Sequence, residues 1–179
     1  MPADLNQLVP ALKERAGELL AVCQARGAIM RPYCTLRSPF DQARLWRQTR
    51  SSEEVQAQQA EFRQAGAEFL AFCLESVGPQ QGAGPHVTKA LPGFSWHQWG
   101  EALDCFWLVD GQAVWSTTSL REGINGYRIY AEAAEDLGLA AGGLWPRFKD
   151  WPHVQLRPEG PARYYSLEQI DQEMKTRFV

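Results

Sequence analysis

Apolar residues recur at helical spacing near the start of the chain. Leu8, Leu12, Leu19, Leu20 and Cys23 fall near one face of a helix predicted over residues 5 to 26, and Gly27 is placed to end it. The pattern then shortens, and Ile29 to Leu36 reads as a strand that delivers Arg37 to a turn. Ser38 follows as a helix cap, with Pro39 at the first helical position, where its missing N–H costs nothing. The helix so opened carries Asp41, Gln42 and Leu45 through about Thr49. A longer helix is predicted from Ser52 to Gly78, with Val55, Phe62, Phe69, Phe72, Cys73 and Val77 as its buried stripe. Pro79 to Pro92, interrupted by Gly82 and Gly84, reads as a loop.

Beyond that loop the period changes again. Glu101 to Val109 reads as a strand, and Asp110-Gly111 is a turn signal before Ala113-Val114-Trp115. A helix is predicted over residues 126 to 137, ended by Gly138, and His153 to Leu156 reads as a short strand. Ser166 with Gln169 has the spacing of a capping box and opens a last helix. Helices interspersed with antiparallel hairpins predict an α+β fold. There are no internal repeats and no low-complexity linker, so residues 1 to 179 are expected to form a single domain.

Composition narrows the classes. The chain is 45% hydrophobic and 22% charged, as a water-soluble globular protein is. Its net charge of −3 gives no support for nucleic-acid binding, which calls for a clustered basic face. No stretch approaches the ~20 apolar residues of a membrane span. The N-terminus, Met1-Pro2-Ala3-Asp4-Leu5-Asn6, has neither the basic region nor the apolar run of a secretory signal, and synthesis in the cytoplasm is expected. Cys23, Cys34, Cys73 and Cys105 have no CxxC spacing, so neither a zinc knuckle nor a redox motif is indicated. Thiols are expected, with a Cys34–Cys105 bridge left open because both fall in predicted strands.

Three residues concentrate the chemistry. His97 and Asp104 lie in Ser95-Trp96-His97-Gln98-Trp99-Gly100-Glu101-Ala102-Leu103-Asp104, and His153 ends Asp150-Trp151-Pro152-His153. Two imidazoles and one carboxylate suit a divalent zinc ion and leave a fourth position for water. A lone histidine is more often a surface or hydrogen-bonded core residue, and Asp104 could cap a turn. Against that, Asp104 interrupts the apolar run from Ala102 to Leu108, where an unpaired carboxylate is expensive. Asp150, three residues before His153, is the candidate to take a proton from that water. No Gly-x-Ser-x-Gly motif competes as a nucleophile signature. The third histidine, His86 in Gly84-Pro85-His86, reads as a loop residue.

The order Ser-x-His-x-x-Gly-x-Ala-x-Asp, then Gly-Gly-x-Trp, then Asp-x-Pro-His resembles the zinc D-Ala-D-Ala carboxypeptidase and L-alanyl-D-glutamate endopeptidase family. The match runs through Ser95, His97, Gly100, Ala102, Asp104, Gly142, Gly143, Trp145, Phe148, Asp150, Pro152 and His153, with Arg37, Ser38, Gln42 and Leu45 upstream. These positions span about two thirds of the chain. The resemblance implies a small central antiparallel sheet with flanking helices and an open groove holding one Zn²⁺ on His97, Asp104 and His153. It implies Asp150 as general base, Arg37 as the cation that steadies the oxyanion, and Ser95 and Gln42 as weaker substrate-orienting candidates. The implied substrate is a peptidoglycan stem peptide. The cutting site resembles the endopeptidase branch, which hydrolyses L-Ala–D-Glu bonds, although Val154 stands where that branch has an aromatic. A D,D-carboxypeptidase and a zinc-stabilised binding module without catalysis are the alternatives. Action on the cell wall would follow phage-type release or specialised secretion, and a delivery or inhibitor protein is not readable. The helical stretch at about 51–78 is an insertion relative to the family pattern.

Overall fold

The computed structural model describes residues 3–77 and 84–179. A 3-10 turn at Leu5–Gln7 precedes α1 (Pro10–Ala25), β1 (Ile29–Cys34), α2 (Pro39–Arg47), α3 (Ser52–Gln64) and α4 (Glu68–Glu75). A second 3-10 turn at Trp96–Trp99 leads to β2 (Ala102–Val109), β3 (Gln112–Val114), α5 (Gly126–Asp136), β4 (Ala140–Ala141), β5 (His153–Gln155) and α6 (Leu167–Phe178). The chain divides into two compact units, Met1–Leu36 with Gly100–Pro158 and Arg37–Trp99 with Glu159–Val179. None of the described helices is long and apolar enough to cross a membrane.

The first unit is an antiparallel sheet backed by α1 and α5, the α+β arrangement expected from the sequence. β2 is its long central strand. β1 pairs along one edge of it, while β5 and β3 divide the other edge, β5 opposite Ala102 to Asp104 and β3 opposite Trp107 to Val109. β4 adds beyond β5 through Ala140 and Ala141. It was absent from the sequence reading because two residues are too few to display an alternation.

Strand periodicity sorts the residues of this sheet by face. Leu103, Cys105 and Trp107 of β2, Met30 of β1 and Val154 of β5 join Leu12, Leu19, Cys23, Tyr127 and Tyr130 of the helices in one buried core. A fully buried leucine such as Leu12 or Leu19 contributes about 1.5–3 kcal/mol. The first helix is shorter than predicted. Proline lacks the N–H that an interior position would need, so α1 begins with Pro10 at its first turn. The preceding residues instead form the separate 3-10 turn, where the Asp4 side chain accepts from Asn6 N.

The second unit is helical. Ser38 caps α2 as expected, accepting from Asp41 N, with Pro39 at its start. The single helix predicted from Ser52 is two helices. At the end of α3, Gly66 takes φ +78°, Gly66 N donates to Arg63 O and Ala67 N donates to Phe62 O. That left-handed residue closes one helix and restarts the next, as glycine commonly does past a helix end. The break also rephases the apolar stripe: Val55, Phe62, Phe69 and Cys73 are buried, while Phe72, expected inside, is half exposed against Phe40. Residues 78–83, which include the predicted helix end and the start of the loop, lie outside the described residues. The capping box at Ser166 and Gln169 opens α6, whose Ile170 and Met174 are buried. Its Asp171 carboxylate accepts from Leu70 N of α4 at 2.8 Å.

Candidate functional site

The first unit lays a row of polar side chains across the sheet. Asp104 of β2 is opposite His153 of β5 on one side and Cys34 of β1 on the other. An irregularity in β1 between Pro32 and Cys34 moves the register so that Cys34, rather than Tyr33, meets Asp104. Because Leu103 and Val154 face the core, Asp104 and His153 face away from it. Asp104 and His153 are nonetheless both buried. His153 Nδ1 lies 2.9 Å from Asp104 Oδ1, and the imidazole packs against the indole of Trp145 at 5.5 Å between ring centroids. An Asp104 carboxylate oxygen and Cys34 Sγ lie within 4.8 Å of each other.

A chain of hydrogen bonds stands behind His153. Gln155 Nε2 donates to Arg157 O at 2.6 Å, which leaves Gln155 Oε1 facing His153 Nε2 at 2.8 Å. Both imidazole nitrogens thus face acceptor oxygens, the Gln155 amide oxygen at Nε2 and the Asp104 carboxylate at Nδ1. An imidazole nitrogen and a carboxylate oxygen therefore lie side by side on this face of the sheet. The donor chemistry therefore fits a divalent metal bound through imidazole nitrogen and carboxylate oxygen. Beyond Gln155, Arg157 donates to both Glu101 oxygens at 2.7 and 3.1 Å, which pins the segment that follows β5.

Asp150 is held by backbone. Its N–H donates to Gly142 O at 3.0 Å, and its carbonyl accepts from His153 N at 3.1 Å. The approach is close because position 142 has no side chain: a Cβ there would sit 3.0 Å from Asp150 Cβ and would press on Asp150 O. Gly143 is likewise covered by Trp151, whose Cζ3 would be 2.9 Å from an added Cβ. The Gly142-Gly143 pair is thus a seat for the Asp150-Trp151 turn. Nearby, desolvation raises the Tyr33 phenol well above its ordinary range, and the charges of Asp104 and Asp150 add to the rise. Tyr33 is therefore a neutral hydroxyl in the field of both carboxylates.

The remaining predicted residues belong to the second unit. Arg37 donates through its guanidinium to Gln42 Oε1 at 2.9 Å. Gln42 is fully buried, donates to Ala90 O at 2.7 Å and accepts from Gln98 Nε2 at 3.2 Å. It acts as an anchor for the arginine. Arg37 N also donates to His97 O at 3.2 Å, which ties the arginine to the backbone of the histidine motif. His97 is buried in the 3-10 turn at Trp96–Trp99, and its own N–H donates to Ser95 Oγ at 3.4 Å. Ser95 thus shapes the turn that carries His97. His86 stands apart, with Nδ1 3.1 Å from Thr49 Oγ1.

Three contributors escaped the sequence reading. Cys34 was placed in a strand, but its register against Asp104 depends on the irregularity in β1. Gln155 lay unremarked in the strand predicted from His153 to Leu156, although its two-residue spacing from His153 already put both on one face. The Glu101–Arg157 pair joins residues far apart in sequence, and no local pattern announces it. The four cysteines are thiols rather than disulfides. Burial raises Cys23 to about 11 and Cys73 to about 12, and raises Cys105 further still.

Residues 88–156 match the family model described as D-alanyl-D-alanine carboxypeptidase. The matched stretch runs from before Ser95 through His153 and bears out the family resemblance read from these motifs. Among curated proteins, the chain is 36% identical over 75 residues to the peptidoglycan L-alanyl-D-glutamate endopeptidase CwlK of Bacillus subtilis (strain 168). That alignment covers 40% of this chain and 45% of the relative, so the chain spans less than half the length of the protein it matches. Among solved structures, the Serratia marcescens L-Ala D-Glu endopeptidase ChiX aligns over 86% of this chain and 83% of its own, at 19% identity and a TM-score of 0.42.

Proposed function

We propose that this chain is a zinc-dependent peptidase of peptidoglycan stem peptides that hydrolyses the bond between L-Ala and D-Glu, working as one peptidase domain. The observation that carries the reading is the Asp104–His153 pair, with a carboxylate oxygen and an imidazole nitrogen converging at 2.9 Å beside the Asp150 turn. His97 completes the donor set on the strength of its motif. The similarity to a Bacillus subtilis protein named as an L-alanyl-D-glutamate endopeptidase supports the substrate and the bond. Zinc on such a set supplies a Lewis acid and brings the pKa of water toward about 7.

The chain's own residues do the rest. The Asp150 carboxylate accepts the proton of the attacking water and returns it to the leaving amine, the two duties of a positioned acid–base. The Arg37 guanidinium, steadied by Gln42, offsets the negative charge that grows on the scissile carbonyl oxygen. The Gly142-Gly143 seat sets the position from which Asp150 acts. Ser95 serves by forming the His97 turn.

A second reading, release of terminal D-Ala by a D,D-carboxypeptidase, is favoured by the description of the matching family model. That reaction needs a fixed cation for the substrate's terminal carboxylate, and Arg147 and Lys149 are the exposed cations nearest Asp150 in sequence. One experiment separates the readings. Purified sacculi and a muropeptide ending in D-Ala-D-Ala are digested with and without a chelator, and the new termini are identified by mass. New N-terminal D-Glu that vanishes with chelator and returns with zinc is the expected result. Release of free D-Ala alone supports the carboxypeptidase instead. Stoichiometric zinc with no cleavage of either substrate would make the chain a binding module, and zinc retained by both His97→Ala and His153→Ala overturns the ligand assignment.

A further inference from the structure

We propose that Tyr33, Phe106 and Trp115 form an aromatic platform that holds a pyranose ring of the glycan strand beside the bond that is cut. The inference deepens the proposed function and rests on it for the place of cleavage, the first peptide bond of the stem. The platform itself follows from the sheet.

All three rings lie in the first unit, together with Asp104. Phe106 follows Asp104 by two residues on β2, so both side chains lie on the face opposite the core residues Leu103, Cys105 and Trp107. Tyr33 comes from β1 on one edge of β2, and Trp115 directly follows β3 on the other. Trp115 stands 5.3 Å from both Tyr33 and Phe106 between ring centroids, and Tyr33 stands 6.4 Å from Phe106. The interplanar angles are 79°, 40° and 40°, so the rings do not cover one another's faces by stacking. Trp115 is 58% exposed and Tyr33 40%, which a role in the core would not leave. Arg31, opposite Phe106 in the register, is exposed on the same face and puts guanidinium N–H donors beside the rings. An aromatic floor with donors at its edge suits a sugar. The C–H groups of a pyranose pack on the negative face of a ring, and its hydroxyl and acetamido oxygens accept from N–H groups.

The platform adjoins the catalytic face. The Tyr33 phenol lies in the field of both Asp104 and Asp150. Along β2, two residues separate Phe106 from Asp104, a span of roughly 7 Å. In peptidoglycan the L-Ala of the stem is amide-linked to a lactyl group carried on the sugar. L-Ala and the lactyl unit therefore separate the scissile carbonyl from the sugar ring, about two residue lengths or roughly 7 Å when extended. The two spans agree. Trp145 and Phe148 instead stack at 27°, and Trp145 leans on His153, so they wall the donors rather than offer an open floor.

The test compares two substrates. Cleavage is measured on a muropeptide that carries its disaccharide and on the same stem peptide with an N-acetyl group in place of the sugar, and the ratio of the two kcat/KM values gives the preference for sugar. The unmodified protein should favour the sugar-bearing substrate about tenfold, and Trp115→Ala should abolish most of that preference, an effect the size of one aromatic contact. Trp115→Tyr keeps a ring and should retain most of it. Binding is read separately. The indole N–H signal of Trp115, assigned by its absence in Trp115→Tyr, should shift when the disaccharide of N-acetylglucosamine and N-acetylmuramic acid is added. The proposal is overturned by an unmodified protein without preference, by an equal loss on both substrates in Trp115→Ala, or by an indole signal that the disaccharide leaves in place. A shift of that signal in a protein that cleaves neither substrate would support the platform and overturn the peptidase reading, so the two fail separately.

Discussion

Replacing Gly142 by alanine adds a single methyl group where the Asp150 turn lies closest. The new Cβ would stand 3.0 Å from Asp150 Cβ and 3.2 Å from Asp150 C, and nearer still to Asp150 O. Carbon atoms rest comfortably at about 3.5–4.0 Å, so the turn must retreat by roughly 0.5–1 Å. Overpacking of that kind costs about 1–3 kcal/mol. For a chain of this size, each kcal/mol lowers Tm by about 2–4 °C. The catalytic consequence should exceed the structural one, because the displaced group is the proposed general base, and a misplacement of ~1 Å can cost ~10²-fold in rate. His153 stays seated in its strand opposite Asp104, so zinc affinity should change little. Cleavage of a defined muropeptide, metal content and thermal unfolding together read the three effects. Combined with Asp150→Ala, Gly142→Ala should add almost nothing further to the rate loss, since both act through one carboxylate. A Gly142→Ala protein with the parent rate and the parent Tm would refute the idea that these glycines seat the turn.

Asp150→Ala should retain zinc and lose roughly 10²–10⁴-fold in muropeptide cleavage, the contribution of a positioned acid–base; near-normal turnover would remove Asp150 from the mechanism. Arg37→Ala should also keep its zinc and lose roughly 10²–10³-fold, and an unchanged kcat would reduce the arginine to a structural partner of Gln42. With thiols raised to about 11 at Cys23, about 12 at Cys73 and higher at Cys105, these three should resist alkylation in the native state at pH 8 and react promptly after unfolding. The sign follows for stability: the unfolded thiols, at about 9.0, ionise first, so stability held below pH 9 should fall progressively above it, and a denaturant midpoint that rises from pH 9 to 11 would contradict this.

Where a local rule is obligatory, the sequence could be read closely. Ser38 with Pro39 and Ser166 with Gln169 bring their own hydrogen bonds, so the starts of α2 and α6 were legible to the residue. Asp104 was legible as chemistry because a carboxylate in an apolar strand requires a partner, and the structure supplies His153. Helix ends were harder. Apolar periodicity ran through both Pro10 and Gly66, and the backbone demands of those two residues won over it. Phe72 shows the same conflict from the other side, since a stripe counted through a break is counted out of phase. Non-local pairings left no trace at all. The shift that brings Cys34 opposite Asp104 and the ion pair between Glu101 and Arg157 arise from strands meeting, which spacing along one segment does not encode.

The sheet explains why so much chemistry could gather on so few residues. A strand that packs against helices on one face commits alternate positions to the core, and β2 and β5 do this with Leu103, Cys105 and Val154. The intervening positions, Asp104 and His153, face away from that core with their backbones fixed by the ladder. A carboxylate and an imidazole buried there are costly unless every donor and acceptor is matched. Gln155 Oε1 faces the outer imidazole nitrogen, and Arg157 and Glu101 hold Gln155 in place. An apolar pair at 104 and 153 would pack without that cost, so a polar row held so firmly points to a preorganised site as the reason the row persists.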